Sequence, residues 1–400
     1  MKKVIIIGVL ALGLTLFAQE ITHESLVINI EIPVRVYQGK TFIDNLTIND
    51  FEVFEDGVLQ KIEAVYLVKK TNIERREENK RFAPKTARYF YLLFEVNEYT
   101  ARMGKAVDYF IHNVLFSGDN LTIVTPMKTY RMKLEVLETV PREEVANQLK
   151  GILRRDALQG SAEYRGAISD LTGLAKTLSS ESTSMDEPGV DEFRGLALDE
   201  SLSLYGDLLN KLENLRSVDQ KKLLDFAEFL KNKEGQKYVF LFYQREFIPQ
   251  LEQRVIDQYI SGNQQRQDIV FALSELFGIR KRDVSIDIDK LKQTYADSSV
   301  SIHFLFFSKP PQMIPGVHME ESSEDIFNAF REVAVATGGF LHSSSNPVAL
   351  FKDAVEASDN YYLVYYSPLN FKKDGQFKQI KVRVKDKNFK VTHRSGYFAN

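Results

Sequence analysis

The run from Arg88 to Thr100 reads RYFYLLFEVNEYT, an apolar strand that delivers Glu95, Asn97 and Tyr99 to its carboxyl end just before a helical stretch. In an open α/β sheet ligands gather past the carboxyl ends of the strands, so this junction is where a metal or ligand site would be built. The side chains supply one carboxylate, one amide and one phenol. Such a set can offer oxygen to a hard cation or meet a partner's polar groups, and Glu95 and Asn97 can equally cap the following helix.

Elsewhere the reactive residue types do not assemble. The six histidines (His23, His112, His303, His318, His342 and His393) are scattered, and none has a partner at the helical spacing of a zinc-protease motif. Ser343 to Ser345 lack the flanking glycines of a nucleophile elbow, and no Gly-rich, Lys-bearing phosphate loop is present. Acid pairs such as Asp287 and Asp289, or Glu320 and Glu324, are expected by coincidence among 55 acidic residues. With no cysteine, thiolate catalysis, zinc–thiolate sites and disulfides are excluded. No catalytic constellation emerges, and the reading is non-enzymatic, with an unrecognised site in the region 141–233 as the residual enzyme alternative.

Charge and leader narrow the setting. A net charge of −3 from 52 basic and 55 acidic residues gives no field favouring nucleic acid or an anionic membrane. The first residues, MKKVIIIGVLALGLTLFAQE, place Lys2 and Lys3 before an apolar run from Val4 to Phe17, with Ala18 at the cleavage edge. This is the layout of a secretory signal peptide, and the run is short of the ~20 residues that a spanning helix needs. The expectation is export to the periplasm or beyond, with no spanning segment after cleavage.

The elements that must position the strand-end residues follow from periodicity. Ile28, Ile30, Ile32, Val34 and Val36 alternate with Asn29, Glu31 and Arg35; Phe51 and Val53 alternate next, and Asp56-Gly57 supplies a tight turn into Val58 to Val68. Residues 19–69 therefore read as a small antiparallel β module, and the charged stretch 70–87 as its linker. Beyond it, short continuous apolar strands (Tyr89 to Phe94, Leu121 to Val124, Tyr238 to Tyr243, Val300 to Phe307, Tyr361 to Tyr366) alternate with helical stretches, the last spanning Pro347 to Ala357. That pattern predicts an α/β, doubly wound, mainly parallel sheet over 88–366. It carries a helical insertion at about 141–233, interrupted by the polar loop from Ser179 to Phe193. Within it Leu208, Leu209, Leu212 and Leu215, with Leu223, Leu224, Phe226 and Phe229, are spaced to form a helical hairpin. Residues 367–400 alternate through Ile380, Val382 and Val384, then Phe389 and Val391, and read as a C-terminal β-hairpin.

Four ordered segments carry a resemblance: LTINDFEVFEDGVLQKI (Leu46 to Ile62), ATGGF (Ala336 to Phe340), YYLVYYSPLNFKKDGQFKQIKVRV (Tyr361 to Val384) and HRSGYF (His393 to Phe398). In these the chain resembles the bacterial von Willebrand factor type A related family, an exported, acidobacterial-type group. The resemblance implies a Rossmann-like domain with a metal-ion-dependent adhesion site of Asp-x-Ser-x-Ser pattern after the first strand. Here those positions are Glu95, Asn97 and Tyr99, so the motif is broken throughout. The threonine of the second loop aligns best with Ser161, and the aspartate after a later strand is replaced by the run Tyr243-Gln244-Arg245-Glu246, whose guanidinium repels a cation. The implied function is a protein-binding or scaffold module with a degenerate metal site and no cofactor. Its partner is another cell-envelope or extracellular protein, met on a face formed by Glu95, Asn97, Tyr99, Tyr243, Arg245 and Glu246. The alternative keeps Mg²⁺ or Mn²⁺ on Glu95, Asn97 and Ser161.

Overall fold

In the computed structural model, residues 28–133, 135–179, 193, 195–278, 286–307, 313–343, 349, 351–352, 355, 359–369 and 371–400 are described. The leader (1–18), most of the loop from Ser179 to Phe193, the serines at 344 and 345 and most of the stretch from Pro347 to Ala357 lie outside them.

The alternating N-terminal residues form β1 (Ile30–Gln38), β2 (Thr41–Phe42), β3 (Phe51–Glu55), β4 (Val58–Gln60) and β5 (Ile62–Lys69). Asp56 and Gly57, at φ 47° and 83°, make the left-handed two-residue turn that joins β3 to β4. β6 (Asn72–Glu78) follows where a linker was expected. Its residues alternate between half-buried and exposed along a sheet edge, a position where charge also discourages further pairing.

Next come β7 (Arg88–Glu95), β8 (Asn120–Val124), β9 (Thr129–Arg131), β10 (Gln236–Gln244), β11 (Phe247–Leu251), β12 (Val300–Phe307), β13 (Val317–Glu321) and β14 (Leu341–Ser343). The chain closes with β15 (Asn360–Tyr366), β16 (Phe377–Val384), β17 (Lys390–His393) and β18 (Gly396–Phe398). The helices are α1 (Ala101–Tyr109), extended by a π turn over Phe110–Val114, then α2 (Val136–Thr139), α3 (Arg142–Gly160), α4 (Ala162–Ser179), α5 (Leu198–Leu215), α6 (Gln220–Lys231), α7 (Gln253–Gly262), α8 (Gln267–Phe277), α9 (Ile288–Asp297) and α10 (Glu324–Ala336). Among the described residues no helix is long and apolar enough to cross a membrane.

The expected doubly wound, mainly parallel architecture is overturned. Among the described residues there are four sheets, of which three are wholly antiparallel, and the fourth, in order β14-β12-β10-β7-β8-β9, is mixed because β9 runs against β8. The strand at Tyr361–Tyr366, expected in the parallel sheet, instead pairs antiparallel with β1 and β5. The reason is that a continuous apolar run reports burial on two faces, not strand direction. Tyr362 and Tyr366 pack on one side of β15 with Ile32, Val34 and Val53, while Tyr361 and Tyr365 pack on the other with Tyr66 and Val68.

The C-terminal hairpin is also corrected. β16 pairs antiparallel with β18 within the C-terminal segment, but it also pairs with β3, and β17 pairs with β1, so the last strands are interleaved with the first ones and do not form a separate hairpin. Alternation identified the strands, but β3 and β1, the partners of β16 and β17, lie more than 300 residues away. The predicted leucine hairpin divides as well. Leu208, Leu209 and Leu212 join a lobe with α4, α7, α8 and the β11–β13 pair, whereas Leu223, Leu224, Phe226 and Phe229 cover the mixed sheet beside Tyr91 and Val239. α1 and α3 cover its other face through Met103, Phe110, Val145 and Leu153.

A buried polar seam joins the antiparallel layer to the mixed sheet. Arg35, expected on a solvated face, is 1% exposed; it donates to Ser301 Oγ (3.2 Å) and lies over the rings of Tyr238 and Tyr361. Arg88, fully buried, donates to both oxygens of Asp119 (3.0 and 2.6 Å) and to Asp359 (2.8 Å). Arg394 reaches the carbonyl of Glu31 at 2.7 Å. At the same seam Gly338 (φ 69°) lies against His393, and a Cβ on Gly339 would stand 1.8 Å from the carbonyl oxygen of Ile302, so a side chain there has no room.

Candidate functional site

β7 and β10 run parallel with Glu95 opposite Tyr243, so their carboxyl ends emerge side by side. The chain leaving β7 is fastened by the last residue of β10. Gln244, 6% exposed, accepts from the backbone N–H groups of Asn97 (3.0 Å) and Glu98 (3.3 Å), and its amide nitrogen donates to the Glu98 carboxylate (3.4 Å). The helix cap is Thr100, whose Oγ1 accepts from Met103 N at 3.3 Å, a role that sequence reading had assigned to Glu95 and Asn97.

Ser161, at the break between α3 and α4, donates through Oγ to the backbone oxygen of Asn97 (2.5 Å) and also contacts that of Ala157. The structure thus brings Ser161 and Asn97 together, but through main chain. Arg165, one turn into α4, donates to the same Oγ at 3.3 Å and to the Leu158 carbonyl. Arg154 places its guanidinium over the Tyr99 ring, 5.2 Å from the centroid. An open cleft of about 370 Å³ results, with Asn97, Glu98, Tyr99, Arg154, Leu158 and Arg165 in its wall. Burial raises the Tyr99 phenol above its ordinary pKa, against the pull of Arg154 and Lys150.

Glu95, the last residue of β7, has its side chain exposed and does not line the cleft, yet it is closely surrounded by protein. That crowding, and then the Glu246 carboxylate, push its pKa up to about 6. The rest of the expected face is spent on structure. Tyr243 stacks on Phe306 (5.7 Å between centroids), and Arg245 pairs with Glu321 (2.8 Å) while lying over that same Phe306 ring. Glu246 is buried, paired with Arg216 and receiving Arg216 through its Nε, and its backbone N–H donates to Ser323 Oγ at 3.3 Å.

These residues do not fit the metal that the resemblance implies. A cation bound to Ser161 Oγ would share that oxygen with a donating guanidinium, and at an effective dielectric of 20 each unit of like charge at 4 Å costs roughly 4 kcal/mol. Among the described residues no group of three or more His, Asp or Glu stands close enough to hold an ion. Gln244, Arg154 and Arg165 were missed by sequence reasoning. The available signal was the spacing 154, 158, 161 and 165, four, three and four residues apart, which sets those positions along one side of consecutive helical turns.

A larger cleft of about 850 Å³ lies along the seam, where Phe42, Val335, Phe340, Lys390 and His393 contribute to its wall. Its histidine is engaged: Nε2 accepts from Val382 N (3.1 Å), so Nδ1 carries the proton facing the Arg394 carbonyl at 2.7 Å, and burial lowers the ring's pKa. His303 is likewise enclosed, between the rings of Phe240 and Phe340.

No family model and no curated protein matches this chain. A crystal structure of the human COPII-coat protein Sec24c aligns with a TM-score of 0.28 at 8% identity, covering 84% of this chain and 46% of that one. This chain therefore spans under half of that protein's length, and a likeness so slight carries no argument.

Proposed function

We propose that this chain is an exported, non-enzymatic protein-binding or scaffold module whose contact face is the strand-end cleft beside β7 and β10. The observation that carries the reading is the cleft itself, about 370 Å³, open, and walled by an aromatic ring, an exposed leucine and two guanidiniums. Aromatic and arginine side chains set around a depression are the groups that anchor protein interfaces. The charged-then-apolar leader supports export, and the four ordered segments resembling the von Willebrand factor A related family support a binding role over catalysis.

A photo-crosslinking residue placed at Leu158, 56% exposed, tests this against one placed at Lys61, whose side chain is 71% exposed in the antiparallel layer. A single protein adduct in the native cell envelope from position 158, absent from position 61 and lost in Tyr99→Ala, is the expected result. Equal adducts from both positions, or none from 158, would refute it. So would a hydrolytic rate in the purified protein that one acid substitution abolishes.

A further inference from the structure

The cleft's charge is the inverse of what a cation site requires, and this points to a ligand chemistry. Resting on the binding role proposed above, we infer that the cleft captures an acidic side chain of the partner protein directly, with Arg154 and Arg165 as the carboxylate receptors and no metal between them.

Among the described residues neither guanidinium pairs with a carboxylate. Arg154 lies over the face of Tyr99, and Arg165 holds Ser161 Oγ and the Leu158 carbonyl. The acid in the same wall, Glu98, accepts from Gln244, leaving two guanidiniums against one carboxylate. Guanidiniums offer forked N–H donors that match a carboxylate in two parallel hydrogen bonds, the strongest neutral-pH pairing available to side chains. The walls between them are apolar: the Tyr99 ring and the exposed Leu158 can cover the methylene stem of a glutamate or aspartate. The cavity has the volume of a side chain and its immediate backbone, not of a folded surface. Ser161, anchored on Asn97 and contacted by Arg165, fixes one receptor against the strand-end loop, and Gln244 fixes that loop to the sheet. Arg165 is therefore largely pre-set, which lowers the ordering cost of binding.

The test is calorimetric titration of the full chain, in chelator, with an acetylated and amidated tetraglutamate peptide, its tetraglutamine counterpart and inorganic phosphate. Tetraglutamate is expected to bind without added metal and to weaken as salt is raised, while tetraglutamine does not bind. Arg154→Gln, at an exposed position, is expected to weaken it at least tenfold with an unchanged melting temperature, as loss of a charge-assisted pair implies. Arg165→Lys, which keeps the charge but not the fork, is expected to weaken it less than Arg165→Gln. Equal binding by Arg154→Gln, equal binding of tetraglutamine, or binding that appears only on adding Mg²⁺ would overturn the inference. Phosphate competing as well as tetraglutamate would overturn the carboxylate assignment. If the adduct from position 158 survives in Arg154→Gln, the binding role stands and the arginine mechanism fails; if that adduct never forms, both fail.

Discussion

Replacing Arg88 with methionine tests whether the seam between the β layer and the mixed sheet is held by charge. The side chain is fully buried, gives three hydrogen bonds to Asp119 and Asp359 at 2.6–3.0 Å, and donates a fourth to the carbonyl of Val114 at 3.0 Å. Its removal strands the Asp119 carboxyl, 2% exposed, in a dry site where the backbone N–H of Phe116 at 2.8 Å is its remaining hydrogen-bond partner among the described residues. Breaking a buried pair in this way costs about 3–5 kcal/mol, much of it the penalty of the stranded charge. The double variant Arg88→Met, Asp119→Asn removes the fully buried pair and keeps the amide contact, leaving Asp359, whose side chain is 20% exposed, without its partner, so it is expected to cost only about 1–2 kcal/mol, less than the single change. Urea unfolding followed by tyrosine fluorescence and by far-ultraviolet circular dichroism measures both, and coincident curves establish a single transition. A single-variant loss below about 1 kcal/mol, or a double variant as unstable as the sum of its parts, would refute the reasoning.

Two further predictions concern protons. Lys237 is 5% exposed, and burial, then the charge of Arg394, push its pKa down to about 8. Between that value and the ordinary 10.5 the unfolded chain binds more protons, so stability rises with pH across the window; Lys237→Met should lose that rise and be about 1–3 kcal/mol more stable at pH 7 by urea unfolding. Glu95 shows the opposite slope. With a folded pKa of about 6 against an ordinary 4.5, the native state binds more protons in between, so stability falls as pH rises through that interval, and a pH series on Glu95→Gln should show the fall removed.

Local pattern was legible where it depended on neighbours in the chain. The alternation at Ile30 to Val36 and the turn at Asp56-Gly57 both follow from side-chain period and backbone freedom. Pairing was not legible, because nothing in Tyr361–Tyr366 records that its neighbours are β1 and β5 rather than β12. The strand-end position of Asn97 and Tyr99 was readable from the apolar run before them. Arg154 and Arg165 were not, since their meeting with Tyr99 depends on how α3 and α4 cross the end of the sheet. The segments ATGGF and HRSGYF, noted for resemblance, meet at the seam, where Gly338 and Gly339 admit the His393 backbone and the Ile302 carbonyl. The two glycines are dictated by that close approach.

The interleaving of first and last strands also sets a schedule. β1 lies between β15 and β17, and β3 lies against β16, so the antiparallel layer cannot close until residues beyond 390 are available. During synthesis Ile32, Val34 and Val53 have no complete cover, and contacts of such long sequence separation form slowly. The N-terminal layer therefore remains open for most of the chain's production, and a truncation that removes only the final strands should forfeit that layer as well.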